Sequence, residues 1–220
     1  MKKLMLLCCA TALLATAAHA QSERRSPLRF GLKAGANISH LRVTNNGYTT
    51  ESNSFAPGVY GGGLLEISGP AGSKFKGQIE ALFNWHNFKN KYTEADLSLE
   101  RKISLSQISV PIMVKYFVIP SLSINAGGSV NFNIAGKIKD ETDVRGLITR
   151  TETDMNDADM LQTLQVGALV GATYYIYKGF FVDARYNYYF GSMAKNPIST
   201  GNDDPAYRIS AIQVGIGYKF

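Results

Sequence analysis

Ala211-Ile-Gln-Val-Gly-Ile-Gly-Tyr-Lys-Phe220 places an apolar side chain at every second position and ends on an aromatic. Successive side chains of an extended chain point to opposite faces, so Ile212, Val214, Ile216, Tyr218 and Phe220 share one face. Gln213 and Lys219 lie on the other, among Ala211, Gly215 and Gly217. A segment of about ten residues with one wholly apolar face has the length and pattern of a strand that crosses a bilayer inside a closed barrel.

The pattern recurs. Alternating segments occupy residues 28–38, 55–67, 75–87, 103–117, 122–134, 164–176, 180–190 and 211–220, separated by stretches rich in turn-forming residues. Leu28, Phe30, Leu32, Ala34, Ala36 and Ile38 oppose Arg29, Gly31, Lys33, Gly35 and Asn37 in the first; Ile79, Ala81, Phe83 and Trp85 oppose Lys76, Gln78, Glu80, Asn84 and His86 in the third. In the fourth, Ile103 and Leu105 are out of phase with Ile108, Val110, Ile112 and Val114, and a bulge near Ser106 or Gln107 would bring them onto the same face. The fold expected is all-β, an eight-stranded antiparallel up-and-down transmembrane β-barrel. An even strand number leaves both termini on the periplasmic side.

Residues 1–20 have the form of a cleaved export signal: Lys2 and Lys3, an apolar run, then the small-residue site Ala18-His19-Ala20. Residues 21–220 would form the barrel domain. Cys8 and Cys9 leave with the signal, so no disulfide or thiolate ligand supports the remainder. The formal charge falls from +6 to +4 on loss of Lys2 and Lys3. The basic residues are scattered rather than striped, so the isoelectric point of about 9.2 does not indicate nucleic acid.

A soluble ligand-binding barrel also alternates, with its apolar face turned inward. Connection lengths separate the two. Those at 39–54, 90–101, 136–163 and 191–206 are long, while those at 68–74, 118–121 and 177–179 are short, which is the long-outside, short-inside arrangement of outer-membrane barrels. Phe30, Phe75, Tyr116, Tyr174, Phe180, Tyr218 and Phe220 fall at one set of strand ends, and Trp85, Phe132, Tyr188, Phe190 and Tyr207 at the other, as two interfacial belts do.

Eight strands enclose a lumen only wide enough for side chains to fill. Lys33, Glu66, Glu80, Lys115, Asp183 and Arg185 are assigned to it and expected to pair as one network that closes it. A narrow porin is the weaker alternative. Enzymatic activity is not expected: His40 and His86 are the histidines left after residue 20, and Ser39, Ser52, Glu94 and Asp96 show no spacing that joins them into a triad. A rim-located lipid-modifying enzyme is the corresponding alternative. The acidic run 154–159 has neither the glycine nor the distal glutamate of a calcium loop, so no metal or other cofactor is assigned, and a mobile loop is expected there.

Phe30-Gly-Leu-Lys-Ala-Gly-Ala-Asn-Ile-Ser39, Ile108-Ser-Val-Pro-Ile-Met-Val-Lys-Tyr116 and Val214-Gly-Ile-Gly-Tyr-Lys-Phe220 resemble the small outer-membrane β-barrel domain proteins of the Bacteroidota, often labelled porin-family or PorT-like. The resemblance implies insertion through a C-terminal aromatic signal, here Tyr218 and Phe220, by the barrel-assembly machinery. It does not imply one activity; together with the absence of catalytic spacing it favours a structural, surface-interaction or envelope-assembly role, with an accessory part in protein secretion as the narrower possibility. The partners it implies are outer-membrane lipid, lipopolysaccharide and envelope or secretion proteins. The protein should fractionate with outer membranes, begin at Gln21 by mass spectrometry and migrate faster on gels before heating than after; recovery as a soluble periplasmic protein would refute the barrel.

Overall fold

A computed structural model of the chain describes residues 27–45, 48–51, 56–94, 97–144, 147–156, 161–193 and 206–220. The expected export signal, with Ala18 and Ala20, lies outside them, as do Ser52, Asp96 and residues 157–159 of the acidic run. The strands are β1 (Leu28–Asn45), β2 (Tyr48–Glu51), β3 (Pro57–Ser68), β4 (Phe75–Glu94), β5 (Leu97–Ile119), β6 (Leu122–Val144), β7 (Leu147–Asp154), β8 (Leu164–Tyr177), β9 (Phe180–Phe190) and β10 (Ala206–Lys219). Eight of them, β1-β3-β4-β5-β6-β8-β9-β10, form an antiparallel ring that closes where β10 pairs with β1 from Gly31↔Lys219 to Thr44↔Ala206. Short turns link β3 to β4, β5 to β6 and β8 to β9. In the last of these, Lys178 at φ 37° and Gly179 at φ 94° take the left-handed conformations that match the twist of a tight hairpin.

The expected faces hold. Phe30, Val59, Phe83, Ile112, Ile124, Val170, Tyr186 and Ile216 are exposed on the outer wall, and Lys33, Asn37, Glu66, Glu80, Lys115, Asn131, Asp183 and Gln213 are buried inside. Aromatic pairs mark both edges of the wall. Phe75 and Tyr116 lie 5.0 Å apart and Phe180 and Tyr218 4.7 Å apart at the short-turn end, and Tyr188 and Phe190 lie 5.4 Å apart at the other. Gly215 and Gly217 face inward on β10 where a Cβ would collide with the rings of Tyr60 and Phe181, so two large side chains cross the lumen only because these positions are bare.

Two features depart from the sequence reading. The register between β5 and β6 shifts at Ser106/Gln107 as expected, but the extra residue is Ile134 on β6, between partners Asn133 and Ala135. β5 itself keeps its alternation. Ile103 and Leu105 are therefore buried inside instead of joining Ile108 and Ile112 on the wall, while β6 reverses its faces beyond the bulge.

The second departure concerns length. β5 and β6 are each 23 residues, where about 9–11 suffice to cross a bilayer. With β4 and β7 they continue past Trp85 and Phe132 as a four-stranded sheet. Much of the third long connection, expected to be a mobile loop, is thus the hairpin β6–β7. Across the ring, β10, β1 and β2 form a second tall wall.

Ala126 lies outward on β6 near the middle of its bilayer-spanning part, between Leu122 and Phe132. Ala126→Arg should lower stability by about 2–4 kcal/mol, the cost of a cation on the lipid face near the bilayer centre, whereas Ala126→Leu should be neutral. Urea titration of protein refolded into lipid vesicles measures both; equal stability would show that Ala126 does not face lipid.

Candidate functional site

Inward side chains fill the barrel in layers. At the short-turn end Phe117, Tyr175 and Phe181 form an aromatic floor, with ring centroids 5.7 Å and 5.9 Å apart. Lys76 lies over Phe117 at 4.9 Å and Lys219 over Tyr175 at 4.8 Å, cation–π contacts that strengthen as water is excluded.

The six charged residues assigned to the lumen meet above this floor. Arg185 donates to both oxygens of Glu80 at 2.8 Å and to Asp183 at 2.9 Å. Lys33 completes the group, 2.6 Å from Asp183 and 3.6 Å from Glu80. These two cations and two anions balance. The second group centres on Glu66, which accepts from Lys76 at 2.9 Å, from Lys219, and from the Tyr175 hydroxyl at 3.1 Å, with Lys115 at 3.8 Å. Gln78 joins the groups: its Oε1 accepts from Lys115 and Lys219 at 3.2 Å each, and its Nε2 donates to Glu80 at 2.6 Å. Lys76 and Lys219 were legible as inward lysines, but the alternation does not show that both converge on Glu66. Tyr175 and Gln78 carry no charge, so they offered no signal as connectors.

An amide relay lies above the charges. Gln213 donates to Asn84 at 2.8 Å, Asn84 to Ser109 at 2.8 Å, Ser109 to Gln107 at 3.1 Å, Gln107 to Asn133 at 2.7 Å, and Asn133 to Gln165 at 3.2 Å. Each donor on this path finds an acceptor in the next residue, as a water-poor interior favours, up to Gln165, whose Nε2 has no partner among the described residues.

Ser39 and His86 Nδ1 lie 2.7 Å apart, a juxtaposition the sequence reading did not foresee. His86 is wholly buried, with the rings of Tyr189 and Phe88 at 5.9 Å and 6.4 Å. Its Nε2 has no partner among the described residues, so the pair lacks the orienting carboxylate of a triad. The side chain of Glu94 is not among those described.

The top of the lumen is apolar. Leu41, Phe88, Ile103, Leu105, Tyr189, Ile209 and Ala211 from the wall pack with Met155, Leu161 and Met193 from the long connections. Asn156 fixes this cap: its Nδ2 donates to Ile134 O at 2.6 Å and its Oδ1 accepts from Gly136 N at 3.3 Å, using the backbone groups that the bulge withdraws from the ladder. A Cβ at Gly136 would come within 2.8 Å of the Met155 sulfur. Ile103 and Leu105 break the wall pattern because they belong to this cap.

Outside and above the upper aromatics, the outward face of the sheet β4–β7 carries charge. Lys89 pairs in register with Lys102, Lys102 with Lys139, and Lys139 with Glu152. Glu100 is shared by Lys102 at 2.6 Å and Lys89 at 3.0 Å, and Glu152 by Lys139 at 3.1 Å and Lys137 at 3.5 Å. Hydrogen bonds from Lys102 and Lys89 hold the Glu100 carboxyl below its usual range, and those from Lys139 and Lys137 do the same for Glu152. No group of three or more potential ligands from His, Cys, Asp and Glu gathers into a metal site among the described residues.

The sequence model of a family described as "Outer membrane protein beta-barrel domain" matches residues 19–195. No curated protein matches the chain. Among solved structures it is similar to the attachment invasion locus protein Ail of Yersinia pestis in complex with the heparin analogue sucrose octasulfate, at 15% identity over 88% of this chain and 99% of that one, TM-score 0.42. It is also similar to Neisserial surface protein A, at 14% identity over 87% and 97%, TM-score 0.45. A major outer membrane protein of Thermus thermophilus matches at 13% identity over 88% and 99%, TM-score 0.43.

Glu80→Gln and Arg185→Gln should each destabilise the barrel by about 3–5 kcal/mol, because each strands a buried charge. The double variant should lose less than the sum. Denaturant unfolding of all four proteins in one lipid checks this, and additive losses would show that the two residues are not coupled.

Proposed function

The chain belongs to the outer membrane protein beta-barrel domain family and resides in the outer membrane, and we propose that it works there as a sealed anchor for interactions at the outer surface. The observation that carries this reading is the contrast between a lumen filled from floor to cap by its own side chains and a charged sheet raised beyond the aromatic belt. The short turns and both termini face the periplasm, and the sheet β4–β7 stands outside.

The filled lumen argues against a diffusion pore. Burial of Ser39 and His86 beneath the apolar cap argues against catalysis, since a nucleophile and base need a path to substrate. Tyr218 and Phe220 suit recognition by the barrel-assembly machinery: they lie 5.3 Å apart on the closing strand, and Phe220 N donates to Phe30 O at the seam. The PorT-like reading, an accessory part in secretion or envelope assembly, rests on the three sequence stretches that carry the resemblance. It would make the sheet's partner an envelope protein.

In planar bilayers the purified protein should give no stable single-channel current. Replacing residues 141–150 by an asparagine–glycine turn should shorten the β6–β7 hairpin while sparing Met155 and Asn156, so that insertion persists. The shortened protein should fail to complement a null strain. Stable water-filled currents would establish a pore instead, and full complementation would remove the hairpin from function.

A further inference from the structure

We propose that the outward face of the sheet β4–β7 is a docking surface for the phosphate groups of outer-leaflet glycolipid, with Lys89, Lys102 and Lys139 as the row that meets them. The inference rests on the chain being an outer-membrane barrel and adds a partner chemistry to its outer surface.

Position is the first argument. In-register partners on adjacent antiparallel strands point to the same side, so Lys89, Lys102 and Lys139 lie on one face. That face continues the lipid-facing wall, because Lys89 follows Trp85 and Phe83 at even spacing on β4, and Lys102 precedes Ile108 at even spacing on β5. Four residues beyond Trp85, at about 3.3 Å per residue and a tilt near 40°, the row stands about 10 Å above the aromatic belt. This is headgroup height, reached by a side of the barrel that already touches lipid below.

Charge is the second. Like charges directly opposite on neighbouring strands are destabilising, because their side chains lie about 5 Å apart, yet three lysines stand abreast here. The carboxylates nearby offset them only in part, and Glu141, in register with Glu100, is taken up by Arg150 at 3.0 Å. Glu100 and Glu152 are each divided between two lysines, and Asp154 accepts from the backbone of Asn156 at 2.9 Å. The lysine side chains are also available: those of Lys102 and Lys139 are 54% and 59% exposed even while paired. A dianionic phosphate receives several charge-assisted hydrogen bonds from such a row, and an anionic membrane surface attracts lysines at this height.

The test uses the mature chain refolded in phosphatidylcholine nanodiscs in EDTA, where no divalent cation bridges anions. Trp85, the single tryptophan of the chain, is a reporter four positions from Lys89. Adding diphosphorylated lipid A should shift its emission saturably, and dephosphorylated lipid A should not. Lys89→Gln/Lys102→Gln/Lys139→Gln should weaken the response by about a hundredfold, at roughly fivefold for each lysine beside an anionic lipid surface. Glu100→Gln/Glu152→Gln should tighten it, because the competing carboxylates are gone. Gel migration before and after heating scores insertion in the same samples, so failure of the barrel is distinguished from failure of the docking surface. A triple variant that responds like the parent, or an equal response to dephosphorylated lipid, overturns the proposal. Equal competition by free inorganic phosphate assigns the row to a soluble anion, and saturable binding of an acidic peptide without a lipid response assigns it to a protein; either result overturns it as well.

Discussion

Arg185 and Glu80 face each other across a space that admits little water, joined by two contacts of 2.8 Å, and the lumen is organised around that fork. A ring of eight strands encloses no more volume than its own side chains occupy, so each inward charge finds its partner within the ring or remains buried alone at a cost of several kcal/mol. Lys33 and Asp183 complete a neutral set, and Gln78 connects it to the cationic group at Glu66. A planar guanidinium holding two acids also fixes β9, which carries Arg185 and Asp183, against β4, which carries Glu80. The register of distant strands is thereby set from the inside as well as by the ladder.

The wall was legible because a bilayer imposes one rule on it: apolar out, at a period of two. Ile212, Val214 and Ile216 obey it, as do Ile79, Phe83 and Trp85, and strand 180–190 was read to its ends. The rule fails at the height where the bilayer ends. Ile103 and Leu105 are apolar because they plug the mouth, and a reading that sends every apolar residue to lipid has to invent a bulge in β5 to accommodate them. The actual bulge at Ile134 leaves little trace, since Ile134, Ala135 and Gly136 fit either face. Above the membrane, Ser98 to Arg101 and Lys137 to Thr142 show no sustained alternation of hydropathy, so this part of the sheet read as loop. Its signal was the β-branched series Ile148, Thr149, Thr151 and Thr153, whose propensity favours a strand.

The lumen was read residue by residue and only in part as a network. Opposite charges on inward positions announce pairing, and the six that were singled out do form connected groups. The polar connectors were silent because a glutamine or tyrosine on an inward face serves equally well as filler. Ser39 and His86 show the converse. They look like chemistry when written side by side, and the cap formed by Met155, Leu161 and Met193 makes them part of the packing.

Strand height is uneven around the ring. β8 and β9 stop near the aromatic belt, whereas β4 to β7 rise well above it. The molecule therefore has a front and a back within the plane of the membrane. Neighbours that approach along β8 and β9 meet a low, apolar flank and can pack closely, as barrels do in a crowded bilayer. Those that approach along β4 to β7 meet a raised parapet and are held at a greater distance. Lateral spacing in the outer membrane then depends on direction, and the protein acquires a preferred orientation among its neighbours.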